Sequence, residues 1–261
     1  MRELKVLWKA WITTLQTRLE YRVDLALGLA GALGMQVSGL CLMWVVLTHH
    51  GGDLAGWKPA EIGVLFGLTA MIQGCSELFF NHVWWTPTYI VRGQFDRLLV
   101  YPVRALPFFL MTCPELHAIG NIGGGLAVLC YSGHLAGLSP WGLLGLPLWL
   151  ACGCLVHTSV LVLASTVVVK VKGSYNQLFW LTNTLLQNSR YPLSIYPGAV
   201  QAVLLVLVPF GLACFVPVSA LTGRLPWALA LGAPPVAAAI MVSLAWWAWE
   251  KAFQGYESTG S

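Results

Sequence analysis

The feature that most constrains this chain is a succession of apolar runs, each long enough to cross a bilayer, separated by short stretches where its few charges collect. A hydrocarbon core ~30 Å thick takes about 20 apolar residues in helical form. Lipid also requires every backbone N–H and C=O to be satisfied within the protein. Runs at about 25–47, 62–83, 107–131, 141–169 and 225–249 reach that length. Only 9% of the residues are charged, against roughly 25% in soluble domains, so the polar coat of a water-facing globule is missing. The expected fold class is therefore all-α, a polytopic membrane protein of six transmembrane helices.

The flanking segments refine this. Residues 3–22 read as an interfacial helix, with Leu4, Trp8, Trp11, Leu15 and Leu19 three and four apart and Lys5, Lys9, Arg18 and Arg22 mostly off that stripe. Charges interrupt this stretch and no small-residue cleavage site follows, so it is not read as a signal peptide. Alternating six spans from a cytoplasmic N-terminus leaves eleven of the fourteen Lys and Arg inside, and only Lys58, Arg190 and Arg224 outside. The positive-inside rule then predicts that both termini are cytoplasmic. With the charge so one-sided, the net +4 is no sign of nucleic-acid binding.

Residues 175–221 admit two placements with the same ends. Either 200–221 is the fifth span and 175–198 lies on the cytoplasmic surface, or 175–190 crosses and 192–221 dips back from outside. Pro192, Pro197, Pro209 and Pro217 interrupt the second stretch, as suits a re-entrant segment whose broken backbone is buried in protein.

Motifs for chemistry are few. No lysine follows a glycine, so a P-loop is excluded, and any ATP would be bound by another chain. The six histidines are scattered, and the seven cysteines lie mostly in apolar runs, where packing is the simpler reading than metal binding or disulfides. Ser159 lies two residues from His157, a spacing that turns the two to different helix faces, which argues against an intramembrane hydrolase. Glycines at 28, 31 and 34, at 63 and 67, and at 120 and 124 mark faces on which helices approach closely. Glu77 and Glu115 are the acidic residues well inside spans two and three. For these two positions, pairing with Arg92 or Arg104 competes with a role on a substrate or proton path.

The segment Tyr89-Ile-Val-Arg-Gly-Gln-Phe-Asp-Arg-Leu-Leu-Val-Tyr-Pro-Val103, between spans two and three, mixes charge with Phe95, Leu98 and Leu99. A short helix of that kind suits docking in a groove of a soluble partner. Here the chain resembles the permeases of ABC transporters of the ABC-2 type, in the branch related to drug and antibiotic exporters. Residues 92–102 are similar to that branch's G-x-[LF]-D-x-x-L-x-x-P segment. Arg190-Tyr-Pro-Leu-Ser-Ile-Tyr-Pro197 resembles its R-Y-P-x-x-I-Y-P. The stretch from Val208 to Gly223 resembles its proline-punctuated region, and Gly255-Tyr-Glu-Ser-Thr-Gly260 its closing Y-x-S-x-G.

The resemblance implies a single ABC-2 type transmembrane domain over 1–261, with an interfacial helix at 3–22 and a cytoplasmic coupling segment at 88–104. It also favours a re-entrant reading of 192–221. The chain would be half of an export pathway in the inner, cytoplasmic membrane, working with a second permease (identical or sister) and a dimer of ABC ATPase subunits. Arg92, Phe95, Asp96, Arg97, Leu98 and Leu99 would form the ATPase-coupling interface. No cofactor is expected on this chain, since ATP and Mg would sit on the partner. The competing functions are a membrane-embedded lipid-modifying enzyme and a proton-coupled secondary transporter using Glu77 and Glu115. An internal repeat, which the latter usually shows, is not evident.

Overall fold

A computed structural model describes residues 2–49, 52–95, 104–171 and 176–254. These residues are helical throughout, apart from turns and a single bridge between Leu54 and Trp57. In chain order the helices are α1 (Arg2–Glu20), α2 (Arg22–His49), α3 (Pro59–Phe80), α4 (Thr86–Val91), α5 (Ala105–Met111) and α6 (Ala118–Leu135). They continue as α7 (Leu146–Val171), α8 (Asn176–Asn188), α9 (Gly198–Ala202), α10 (Phe210–Ala213), α11 (Phe215–Leu221) and α12 (Trp227–Phe253). Among the described residues, four stretches are long and apolar enough to cross a membrane: Arg22–His49, Pro59–Ile90, Pro140–Lys170 and Trp227–Phe253. A fifth, 198–221, qualifies only if its two halves, bent by 73°, count as one.

The centre of the bundle is the pair α3–α6, which approach backbone to backbone. A methyl group at Gly67 would lie 2.6 Å from the Gly125 carbonyl oxygen, and one at Gly125 would lie 2.8 Å from that of Gly67. Such contact is open only to glycine and gathers dispersion and weak Cα–H···O contacts along the seam. Gly63 and Gly67 thus pack as their spacing implies. On α6, however, Gly125 makes the closest approach, while Gly120 and Gly124 turn to α2. Of the α2 glycines, Gly28 is close-packed against His117 and Gly39 against Phe66 and Arg190, whereas Gly31 and Gly34 have no neighbour within 4 Å.

α7 crosses α3, tied to it by a hydrogen bond of 2.9 Å between Thr158 and Ser76, and packs along α12. That last contact resolves a backbone problem. Pro234 lies inside α12 and has no N–H for the carbonyl of Ala230. The indole N–H of Trp149, fully buried on α7, donates to that carbonyl at 2.8 Å instead.

Two expected spans have a different form. The run 107–131 is not one helix: it breaks at 112–117 between α5 and α6. Pro114 lacks an N–H and disfavours helical backbone at Cys113. Of the stretch 175–190, α8 covers 13 residues, roughly 20 Å of helix, less than a ~30 Å core requires. The stretch 198–221 is interrupted as its prolines imply. A π turn at 203–207 ends at Val208, and Pro209 starts the second arm. Val208, Phe210 and Cys214 are buried at the bend, while Val206 and Leu207 of the π turn are exposed, so protein encloses the bend itself and not the whole interrupted stretch.

α1 also departs from the expected stripe. Leu7 and Trp11 are buried, while Trp8 and Leu19 are exposed. Trp11 stacks on Phe79 of α3 with 5.6 Å between rings, so the helix is docked on the bundle by part of its apolar face.

The Trp149 bond yields a test. Trp149→Phe should lower stability in detergent by about 1–3 kcal/mol, the cost of stranding a buried carbonyl. Pro234→Ala, which restores a local donor, should recover part of that loss. A double-mutant cycle by thermal unfolding reads the coupling, and strictly additive effects would contradict it.

Candidate functional site

A cleft of about 550 Å³ opens between α2, α3, α6 and α8, and five of its polar side chains form one directional hydrogen-bonded chain. Arg190, just past the end of α8, can only donate, and its Nη2 reaches Gln73 Oε1 at 3.2 Å. This turns the Gln73 amide so that Nε2 donates to Glu77 Oε1 at 2.9 Å. From the other side Asn121 Nδ2 donates to Glu77 Oε2 at 2.8 Å. Gln36 Nε2 then donates to Asn121 Oδ1 at 3.0 Å. Four elements are tied to one carboxylate. The guanidinium of Arg190 also lies over the Phe66 ring, 4.6 Å from its centroid, a favourable cation–π placement.

Helix register explains the convergence. Gln73 and Glu77 are four apart on α3 and share a face. The close approach of α6 at Gly67 and Gly125 carries Asn121 to that face, where its Cβ lies 3.0 Å from a methyl built at Gly74. α2 contributes Gln36, 4% exposed, on a helix most of whose length is otherwise unburied.

A second cluster lies beside the first. Glu115 pairs with Arg18 of α1 at 3.3 Å and with His117 at 3.4 Å, and Arg18 also reaches Cys113 Sγ at 3.3 Å. So neither glutamate takes the partner expected of it. Glu77 is held by amides and Glu115 by Arg18, while Arg104 lies over Trp246 at 5.5 Å. The break at 112–117 is the reason, because it swings Glu115 out toward α1. Reading the helices singly could not reveal Gln36, Gln73, Asn121 or Arg190. The available signal was polar residues one turn from Glu77 and at similar depth on neighbouring apolar runs.

The expected coupling residues are only partly described. Asp96, Arg97, Leu98 and Leu99 lie outside the described residues. Arg92 is exposed, at the end of α4. Phe95 is fully buried, in a turn that Gly93 allows with φ of +63°. Its ring stacks on Phe253 at 4.6 Å and lies 5.1 Å from Phe109 and 5.7 Å from Trp249. Phe95 therefore faces its own chain, where it joins the segment to α5 and the end of α12. Among the described residues no group of His, Cys, Asp or Glu is arranged to hold a metal ion.

The two acidic clusters should differ in weight. Glu77→Gln puts an amide donor against one of two donors, so it should cost about 1–3 kcal/mol. Glu115→Gln weakens a partly exposed ion pair worth about 0–1 kcal/mol. Melting temperatures in one detergent check the order, and an equal or larger effect at Glu115 would contradict it.

No curated protein and no solved structure matches the chain significantly. A family model does, over residues 34–260, and its description is ABC-2 family transporter protein. The match takes in α3 to α12, with the buried Phe95 and most of the cleft, and the second half of α2 from residue 34. By that match and its apolar helices, the chain belongs to the ABC-2 transporter family and is a multi-pass membrane permease of an ABC transporter.

Proposed function

We propose that this permease is half of the pathway of an ATP-driven exporter, paired with a second permease, identical or sister, on a dimer of separate ATPase subunits. In this reading six segments cross the membrane: α2, α3 with its extension to Ile90, α5–α6, α7, α12 and the stretch 175–190, in which the short α8 crosses only together with the residues flanking it. Residues 192–221 re-enter from outside. Both termini and the 88–104 segment lie in the cytoplasm, as the eleven-to-three distribution of basic residues favours. ATP and Mg belong to the partner chains.

The observation that carries the reading is the burial of Phe95. A loop that merely joins two spans has no need to seat an aromatic ring among Phe109, Trp249 and Phe253. Each aromatic pair is worth about 0.5–1.5 kcal/mol beyond its buried area, so the turn at Phe95 moves as one body with α5 and the end of α12. Force from an ATPase applied at Arg92, Asp96, Arg97, Leu98 and Leu99 passes through Phe95 into the bundle. Phe95 acts as the inward anchor, and the residues beside it meet the partner.

Purification of the tagged chain from its native membranes should bring down an ATPase subunit in stoichiometric amount. Phe95→Leu keeps an apolar side chain in place but loses the ring contacts. It should leave assembly intact while lowering substrate-stimulated ATP turnover several-fold. Absence of any ATPase, or wild-type coupled turnover in Phe95→Leu, would overturn the proposal.

A further inference from the structure

Three polar atoms of the cleft are buried and have no hydrogen-bond partner among the described residues: Gln36 Oε1, Asn183 Oδ1 and Arg190 Nε. The chain of bonds explains the first. Gln36 spends its amide N–H on Asn121, so its oxygen is left as an open acceptor at the end of the relay. The third is a guanidinium nitrogen that Gln73 does not use, since Gln73 accepts from Nη2. Leaving such groups unmade costs about 1–3 kcal/mol each. The three residues that carry these atoms line one cleft, so a single occupant reaching them would satisfy all three.

The charges say what kind of occupant. Glu77 and Arg190 are opposite in sign but do not pair, because Gln73 stands between them and bonds to both. A purely anionic ligand at Arg190 would also meet the carboxylate, and a purely cationic one would meet the guanidinium. In a low-dielectric cleft each mismatch is costly. A zwitterion complements both: its anionic group accepts from Arg190 Nε, and its ammonium donates toward Glu77, Gln36 Oε1 and Asn183 Oδ1. We propose that the cleft between α2, α3, α6 and α8 is a binding site for a zwitterionic head group combining a phosphate or carboxylate with an ammonium. A volume of about 550 Å³ admits the head and the start of an apolar tail, and the exposed Trp180 stands at the rim. As a site on the transport path it rests on the permease reading above. As a binding site it stands on the cleft alone.

The test is calorimetric titration of the purified full chain in a nonionic detergent, with no ATPase present, so it succeeds or fails independently of assembly. Dihexanoyl phosphatidylethanolamine should bind saturably and at least tenfold more tightly than dihexanoyl phosphatidylglycerol. Gln36→Leu, on a helix still held at the small faces of Gly120 and Gly124, should keep the fold and weaken phosphatidylethanolamine at least threefold. Glu77→Gln should reverse the preference toward phosphatidylglycerol, a change that a purely structural carboxylate would not produce. Competition by free phosphoethanolamine would identify the head group as sufficient. Binding of the lipid without such competition would identify a membrane lipid as the source, and both outcomes support the site. Absence of saturable binding, equal or tighter binding of phosphatidylglycerol to the unmodified chain, or unchanged binding in Gln36→Leu would overturn it.

Discussion

The backbone-to-backbone approach of α3 and α6 at Gly67 and Gly125 is the contact on which the rest of the structure depends. In a bilayer there is no water to drive apolar helices together, so association relies on close van der Waals packing and interhelical polar bonds. The glycine seam supplies the first of these and positions the second. With α6 that near, Asn121 reaches Glu77, and through Asn121 the chain of bonds extends to Gln36 on α2. α2 is otherwise little buried. Its place beside the bundle therefore follows from α6, both through these amides and through the small faces of Gly120 and Gly124.

A second theme is how broken backbone is kept inside the protein. Prolines in α12 and at the 208–209 bend remove donors that lipid cannot replace. At α12 the compensation comes from another helix, as the Trp149 indole closes the carbonyl that Pro234 leaves open. At the bend, the surrounding Val208, Phe210 and Cys214 are buried, and Val208 N–H reaches back to Val203 O at 2.8 Å. These two devices place irregular backbone next to the long helices α7 and α12. Elsewhere those helices are regular.

What was legible in the sequence follows from the same physics. Apolar run length locates α2, α3, α7 and α12, because hydropathy and helix rise alone decide whether a run can cross. The glycine pair 63 and 67 was legible from spacing, while Gly125 was not, since only the packing angle decides which α6 glycine meets α3. The run 107–131 read as one span because its hydropathy conceals a single Pro114, and the break then gave Glu115 a partner, Arg18, that is remote in sequence. The cleft was legible only as the isolated Glu77. Its other members are ordinary amides on separate helices, joined by register and by the α3–α6 approach. The inward turn of Phe95 depends on Gly93 adopting a left-handed conformation, and heptad-like spacing carries no trace of that.

If the α3–α6 approach governs the assembly, two glycines only two residues apart on α6 should respond in opposite ways. Gly123 has no neighbour within 4 Å, whereas a methyl at Gly125 would sit 2.8 Å from the Gly67 carbonyl oxygen. Alanine favours a helix over glycine by about 1 kcal/mol, so Gly123→Ala should hold or raise the melting temperature in detergent. Gly125→Ala should lower it, by the equivalent of about 1–3 kcal/mol for a forced separation of the pair. Equal melting temperatures for the two variants would contradict the account.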